Sequence, residues 1–189
     1  MPNRLVVIDA CATLNLLATG REVDIVEALG IALLETDRMS REVYFLWTAP
    51  DEDGVRRKEP ASKESLVERG LLEARTLDTD PLIDAFVTCA ARIEDTDASC
   101  IALAGVLGIP LVTDDTKKRK VALDVLSQIE LLSTLDLVHD AAARLEWDDA
   151  ELTDVALALK WRGNFAPPKR DPRGPWFVSL LARAGVSCP

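Results

Sequence analysis

An α/β fold, built on a mostly parallel central sheet with helices on both faces, is what this 189-residue sequence predicts. Three observations carry that prediction. The runs Leu5-Val6-Val7-Ile8 and Leu111-Val112-Thr113 have the unbroken apolar character of strands buried on both faces. Segments of helical periodicity alternate with these and with other short runs along the chain. Both runs also end at acids, Asp9 and the pair Asp114-Asp115, and open parallel sheets gather their sites outside the carboxyl ends of the strands. The expected architecture is a three-layer α/β/α sandwich.

The elements follow in order. After the first strand, bounded by Asn3-Arg4, helical periodicity covers residues 10–18 and 22–29, with Thr19-Gly20 as the stop between them. Ile31 to Leu34 suit the next strand. Ser40 is placed to open a helix over 40–47, and Pro50-Asp51-Glu52-Asp53-Gly54 reads as a turn. A helix over 62–69 ends at Gly70, a suitable C-cap, and Glu73 to Leu77 suit a strand. Helices are expected over 80–93 and 97–107, with Gly108 closing the second. The strand behind Pro110 leads to a helix over 116–126, a short strand at Ile129 to Leu132, and helices over 134–146 and 149–161. The chain reads as a single domain, 1–189, in which 163–189 form a Pro-rich extension. The apolar residues Trp161, Phe165, Trp176, Phe177, Leu180 and Leu181 predict that this extension docks on the domain or on a second subunit, as in a homodimer.

Composition narrows the chemistry. A chain of this length buries roughly 70% of its unfolded surface, enough for a sizeable core. A formal charge of −10 argues against holding nucleic acid by global attraction, though not against local contacts. Basic residues gather at Arg56-Arg57-Lys58, at Lys117-Lys118-Arg119-Lys120, and in the tail at Lys160, Arg162, Lys169, Arg170 and Arg173. The first and third groups suit solvated faces. The second lies on the first turns of a predicted helix, where cations oppose the helix dipole and need another reason, such as a phosphate backbone. Cys11, Cys89, Cys100 and Cys188 form no CxxC pair and suit small buried thiols in a reducing cytoplasm. No apolar run approaches the roughly 18 residues of a membrane span, so the expectation is a cytoplasmic protein without membrane contact. Phosphate-binding and dinucleotide-binding glycine motifs are missing, as is a nucleophile elbow, and the single histidine, His139, suits a structural place in a helix. What remains is oxygen chemistry.

Four carboxylates, Asp9, Glu42, Asp97 and Asp115, with Asp114 as neighbour, are the candidates. Each has a plain alternative: Asp9 and Asp97 can cap helices, Asp95 can do the same beside Asp97, and Glu42 alone is an ordinary helix residue. Carboxylates brought together at strand ends repel unless a cation or proton intervenes, so the set points to a divalent-metal site.

These residues also carry a resemblance. Val6-Val7-Ile8-Asp9-Ala10-Cys11, with Leu14-Asn15-Leu16-Leu17 and Thr19-Gly20, resembles the opening of PIN-domain ribonucleases, a family that includes VapC-type toxins of prokaryotic toxin-antitoxin pairs. Asp95-Thr96-Asp97-Ala98-Ser99-Cys100-Ile101-Ala102, followed by Ile109-Pro110-Leu111-Val112-Thr113-Asp114-Asp115, resembles its later half, where an acid opens an Ala-rich helix and a strand ends in Thr-x-Asp. Ser40-Arg41-Glu42-Val43 resembles the place of its second acid. The similarity spans about residues 5–122. It implies a Mg²⁺- or Mn²⁺-dependent endoribonuclease in which Asp9 and Asp115 are direct ligands, Asp97 is a ligand or acts through water, Asp114 assists, and Glu42 orients a water. Thr113, Lys117 and Lys118 would contact substrate, RNA would be the substrate, and an antitoxin protein would be a partner. Where a subset of the family has Gly-Glu, this chain has Thr96-Asp97, a carboxylate one methylene shorter. The alternative is a scaffold or binding module without hydrolysis. A phosphoryl-accepting signalling domain would want a lysine late in the sheet, and none suggests itself.

Overall fold

Parallel pairing of short apolar runs organises the chain, because a strand buried on both faces must satisfy its backbone on neighbours and its side chains in two cores at once. The computed structural model describes residues 4–41, 44–126 and 128–187. In chain order the elements are β1 (Arg4–Ile8), α1 (Ala10–Ala18), α2 (Glu22–Leu29), β2 (Ile31–Thr36), α3 (Asp37–Ser40), β3 (Tyr44–Trp47), β4 (Lys58–Ala61), α4 (Glu64–Glu68) and β5 (Leu72–Arg75). The later half consists of α5 (Asp80–Ala90), α6 (Asp95–Leu107), β6 (Leu111–Val112), α7 (Thr116–Val125), β7 (Leu131–Leu132), α8 (Thr134–Leu145), α9 (Asp149–Trp161) and α10 (Gly174–Arg183).

Five strands form the central sheet in the order β5-β2-β1-β6-β7, and every pairing in it is parallel. β1 is central, with Val7 registered on Leu34 of β2 and on Leu111 of β6. Its side chains alternate between two cores. Val6 and Ile8 enter one with α1, α2, α8, α9 and α10, including Leu16, Ile25, Leu135, Leu159 and Phe177. Val7 enters the other with α5, α6 and α7, including Leu82, Ile101, Leu103 and Val121. The molecule is therefore an α/β/α sandwich, as the sequence predicts. Strand alternation sends successive side chains to opposite faces, so one short strand contributes to both cores.

The helix expected over 40–47 is not there. Ser40 ends the short α3, its hydroxyl donating to the Asp37 carbonyl, and Tyr44–Trp47 is a strand paired antiparallel with β4. Tyr44 and Leu46 are buried while Phe45 is exposed, the period of two that a half-covered strand requires. Aromatic residues in succession favour that pleated surface over a helix. The hairpin's return strand carries Lys58, and Arg56 just before it lies over the rings of Trp47 and Trp161 and donates to the Trp161 carbonyl.

Gly108 closes α6 in the left-handed region at φ +63°, a conformation other L-residues resist, and turns the chain into Pro110 and β6. The C-terminal extension folds onto the domain. Phe165 and Phe177 meet edge to face at 5.4 Å, and Leu180 and Leu181 share their core. Among the described residues no helix is long and apolar enough to cross a membrane.

Phe177 is 1% exposed, so Phe177→Ala should leave a cavity and lower unfolding stability by about 3–5 kcal/mol. Denaturant midpoints measure this, and a midpoint equal to the parent's would contradict the packing role of the extension.

Candidate functional site

At the carboxyl edge of the sheet, local helix-capping rules and long-range charge pairing meet. β1 ends at Asp9, whose backbone N–H continues the ladder to the Val112 carbonyl and whose Oδ1 accepts the Ala12 N–H at 2.7 Å as the N-cap of α1. Capping thus aims the carboxylate. Its other oxygen, Oδ2, lies 2.6 Å from Nζ of Lys118, which also stands 2.6 Å from Oδ1 of Asp97. Asp9 is wholly buried and Lys118 is 3% exposed.

Lys118 sits in the first turn of α7, against the helix dipole. The local backbone is compensated by Asp115, which N-caps α7 and accepts the Lys118 N–H at 2.8 Å. Burial works against the charged ammonium, but the charge of Asp9 and hydrogen bonds to Asp9 and Asp97 outweigh it and hold the lysine pKa above its usual range. The lysine is therefore a fixed cation between two carboxylates. Asp97, expected as a possible cap, caps nothing: the N-cap of α6 is Glu94, Asp95 pairs with Arg38, and the Asp97 side chain, 28% exposed, faces the ammonium.

Asp114 comes in from the end of β6. Its Oδ1 accepts the Thr134 N–H at 2.9 Å, and its Oδ2 accepts from Asn15 Nδ2 at 2.9 Å and from the Thr134 hydroxyl. A carboxylate at the N-terminus of α8 is favoured by the helix dipole. Burial raises its pKa, hydrogen bonds from Thr134 and Asn15 offset this, and the nearby charge of Asp9 raises it further. Gly163 permits this packing: a side chain there would meet the Leu159 carbonyl at 2.9 Å and Asn15 Oδ1 at 3.1 Å.

The expected site residues thus divide. Asp9 and Asp97 come together on Lys118, and Asp114 lies near Asp9, held by Asn15 and Thr134. Asp115, expected as a direct ligand, is exposed and caps α7, its Oδ1 accepting the Lys118 N–H. Thr113 is buried with its hydroxyl accepting the Asp115 N–H at 3.2 Å, so it shapes the turn and has no side open to a substrate. Lys118, expected to meet phosphate, points into the acids; Lys117 is exposed. Glu42 lies outside the described residues. Cys11, expected to be buried, is exposed beside Asp9.

Sequence reasoning missed Asn15, Thr134 and the inward turn of Lys118. The misplaced cation in the first turn of α7 was the signal for the last, and an internal carboxylate answers it as well as a phosphate does. It also missed Glu35, buried at the end of β2, whose two oxygens each lie 2.8 Å from Nζ of Lys63, which in turn lies over the Tyr44 ring. Glu35 follows the run Ala32-Leu33-Leu34, the same strand-end pattern that singles out Asp9. Lys118 supplies the lysine that a phosphoryl-accepting domain would want, but both oxygens of the wholly buried Asp9 are engaged, which removes the accessible nucleophile such transfer needs.

Among the described residues, no three acids, thiols or imidazoles converge closely enough to hold a metal ion by themselves. Set against models of protein families, curated proteins and solved structures, the chain matches none.

Removing Lys118 should strand a buried carboxylate. Lys118→Met is expected to lower stability by about 3–5 kcal/mol, with much of that loss absent when Asp9→Asn is combined with it. Denaturant midpoints of the two single variants and the double variant test this; simple additivity to within about 0.5 kcal/mol would rule out the coupling.

Proposed function

We propose that the protein is a metal-dependent endoribonuclease, as its resemblance to PIN-domain ribonucleases implies, and that the carboxylate edge is its active site. The observation that carries this reading is the gathering of Asp9 and Asp97 on one buried ammonium, with Asp114 close enough to Asp9 to feel its charge, at the carboxyl ends of β1 and β6 and the start of α6. Three carboxylates against one lysine leave two negative charges when all are ionised, which is the charge of one Mg²⁺ or Mn²⁺.

The donors suit such an ion. They are hard oxygens, and Mg²⁺ is commonly held by one or two carboxylates with the rest of its shell left to water and substrate phosphate, so a cage of three protein ligands is not required. Asp97, partly open to solvent, and Asp114 would hold it, with Asp9 beside them. When bound, the ion would supply Lewis acidity at a phosphodiester oxygen and a more acidic water. The chain's own groups do the positioning: Asn15 and Thr134 fix Asp114, the first turn of α1 fixes Asp9, and Lys118 holds Asp9 and Asp97 to each other. Asp114 takes the part expected of Asp115. Exposed Lys117 and Lys120 on α7, with Arg170 of the tail loop close to Thr116, supply contacts for the phosphate backbone of an RNA. A toxin role with an antitoxin partner is supported by the resemblance alone.

One observation favours a second reading, a scaffold or binding module of the same fold. Lys118 already gives Asp9 and Asp97 their counter-charge, so part of the cluster is complete as an internal network.

Labelled RNAs incubated with the purified chain decide between them. The nuclease reading expects cleavage in Mn²⁺ or Mg²⁺ that stops on chelation, and a loss of at least about 100-fold in Asp97→Asn and Asp114→Asn with the fold retained. Lys117→Ala should instead weaken RNA binding and reduce its salt slope by about 1. A wild-type chain inactive on several RNAs in Mn²⁺, yet binding RNA or protein, would establish the scaffold.

A further inference from the structure

Resting on the nuclease reading above, we infer that the outer face of the β3–β4 hairpin is a platform for the unstacked bases of single-stranded RNA, with the Phe45 ring as its stacking surface and Lys58 as its phosphate contact. Register places these residues. Phe45 pairs across with Pro60, and Trp47 with Lys58. Side chains alternate along a strand, so Phe45, Trp47, Lys58 and Pro60 share one face while Tyr44, Leu46, Glu59 and Ala61 share the other. The contacts agree: Tyr44 and Leu46 are buried, Phe45 is 47% exposed, and Lys58 Nζ lies over the Trp47 ring at 5.3 Å.

The chemistry of that face suits a nucleic acid. Its four positions carry two aromatic rings, a proline and a cation, and no carboxylate. The acids of the hairpin lie elsewhere, with Asp51, Glu52 and Asp53 in the connecting turn and Glu59 on the inner face beside Arg162. In a chain of formal charge −10 such a surface is locally complementary to a phosphate backbone. Trp47 already carries the Arg56 guanidinium at 5.1 Å as well as the Lys58 ammonium, so the more open Phe45 is the stacking ring. Aromatic rings accept bases of any sequence on their π-faces, and only an unpaired strand offers bases free to stack there.

The hairpin is held in place for such a task. A two-stranded ribbon by itself is marginal, but this one is fastened to the end of α9. The Trp47 N–H donates to the Arg162 carbonyl at 2.9 Å, and Arg56 donates to the Trp161 carbonyl and to Asn164 Oδ1 at 3.3 Å. Its other end is rooted at the carboxyl edge of the sheet, where the Tyr44 ring lies against the Lys63 ammonium, which binds Glu35 at the end of β2, the strand beside β1. Arg162 also donates to the carbonyl of Ala18, the last residue of α1, so Trp47 stands near the far end of the helix that Asp9 begins, about 13 Å along it. A single strand lying at the carboxylate edge therefore has the platform within reach of its neighbouring bases, and a surface fixed beforehand costs little ordering on binding.

Fluorescence anisotropy of a short labelled oligouridine, in excess chelator so that binding is read apart from cleavage, tests the inference. The wild-type chain should bind it more tightly than the same strand annealed to oligoadenine. Phe45→Leu, which keeps an apolar side chain in the strand, should weaken binding about tenfold with the salt slope unchanged, and Phe45→Tyr should retain it. Lys58→Ala should reduce the salt slope by about 1, and it carries the test where the Leu variant melts below the parent. Val87→Ala, at an apolar residue of α5 that is 61% exposed, should match the parent. A folded Phe45→Leu that binds like the parent, a salt slope unmoved by Lys58→Ala, equal affinity for single and double strands, or a drop in particle mass on Phe45→Leu, which marks the face as a contact between copies of the chain, overturns the inference; metal-dependent cleavage by the wild type leaves the nuclease reading standing in each case. A wild type that neither binds oligouridine nor cleaves RNA overturns both.

Discussion

A buried ammonium between two carboxylates is the constraint on which this structure turns. Asp9 lies at the centre of the sheet's carboxyl edge, with no exposure to water, where an isolated charge would cost several kcal/mol after relaxation. Lys118 compensates it from α7, and in doing so ties together β1, α1, α6 and α7. The pair is a poor device for stability as such, since apolar groups of the same volume would pack at lower cost. It sits at the position where open parallel sheets collect their sites.

The surrounding architecture keeps that edge rigid. Two cores of large aliphatic residues press on the sheet from either side, so the strand ends cannot shift independently. Helix caps do the fine positioning: Asp9 for α1, Asp115 for α7, and the reciprocal Ser133 and Asp136 box at the start of α8, beside Thr134, which holds Asp114. Asp9 thus has a local reason for its orientation, the cap of α1, as well as a long-range partner in Lys118. A second pair, Glu35 with Lys63, repeats the arrangement at the end of β2, where it anchors the segment after the β3–β4 hairpin to the sheet.

Periodicity and punctuation made most of the architecture legible. The apolar runs at residues 5–8, 31–34 and 111–113 specify strands because no helix could bury every side of such short segments, and Gly108 and Gly70 mark helix ends by their freedom at positive φ. Residues 40–47 misled because Ser40 followed by apolar residues satisfies a helix-start rule. The competing preference of successive aromatic residues for a paired strand is realised when β4, eleven residues further on, supplies the partner.

Sequence alone determined the layer order, the strand-end position of Asp9 and the acid pair after β6, because these depend on local hydrophobicity and on chain direction. Which member of Asp114-Asp115 turns inward was decided by tertiary structure: neighbouring carboxylates have equal local claims, and the donors that separate them, Asn15 and Thr134, lie 99 and 20 residues away from Asp114. The same holds for Lys118. Its charge against the helix dipole announced that a negative partner exists, but Coulomb attraction names no partner until the fold brings one within reach, and here that partner is Asp9, 109 residues earlier in the chain.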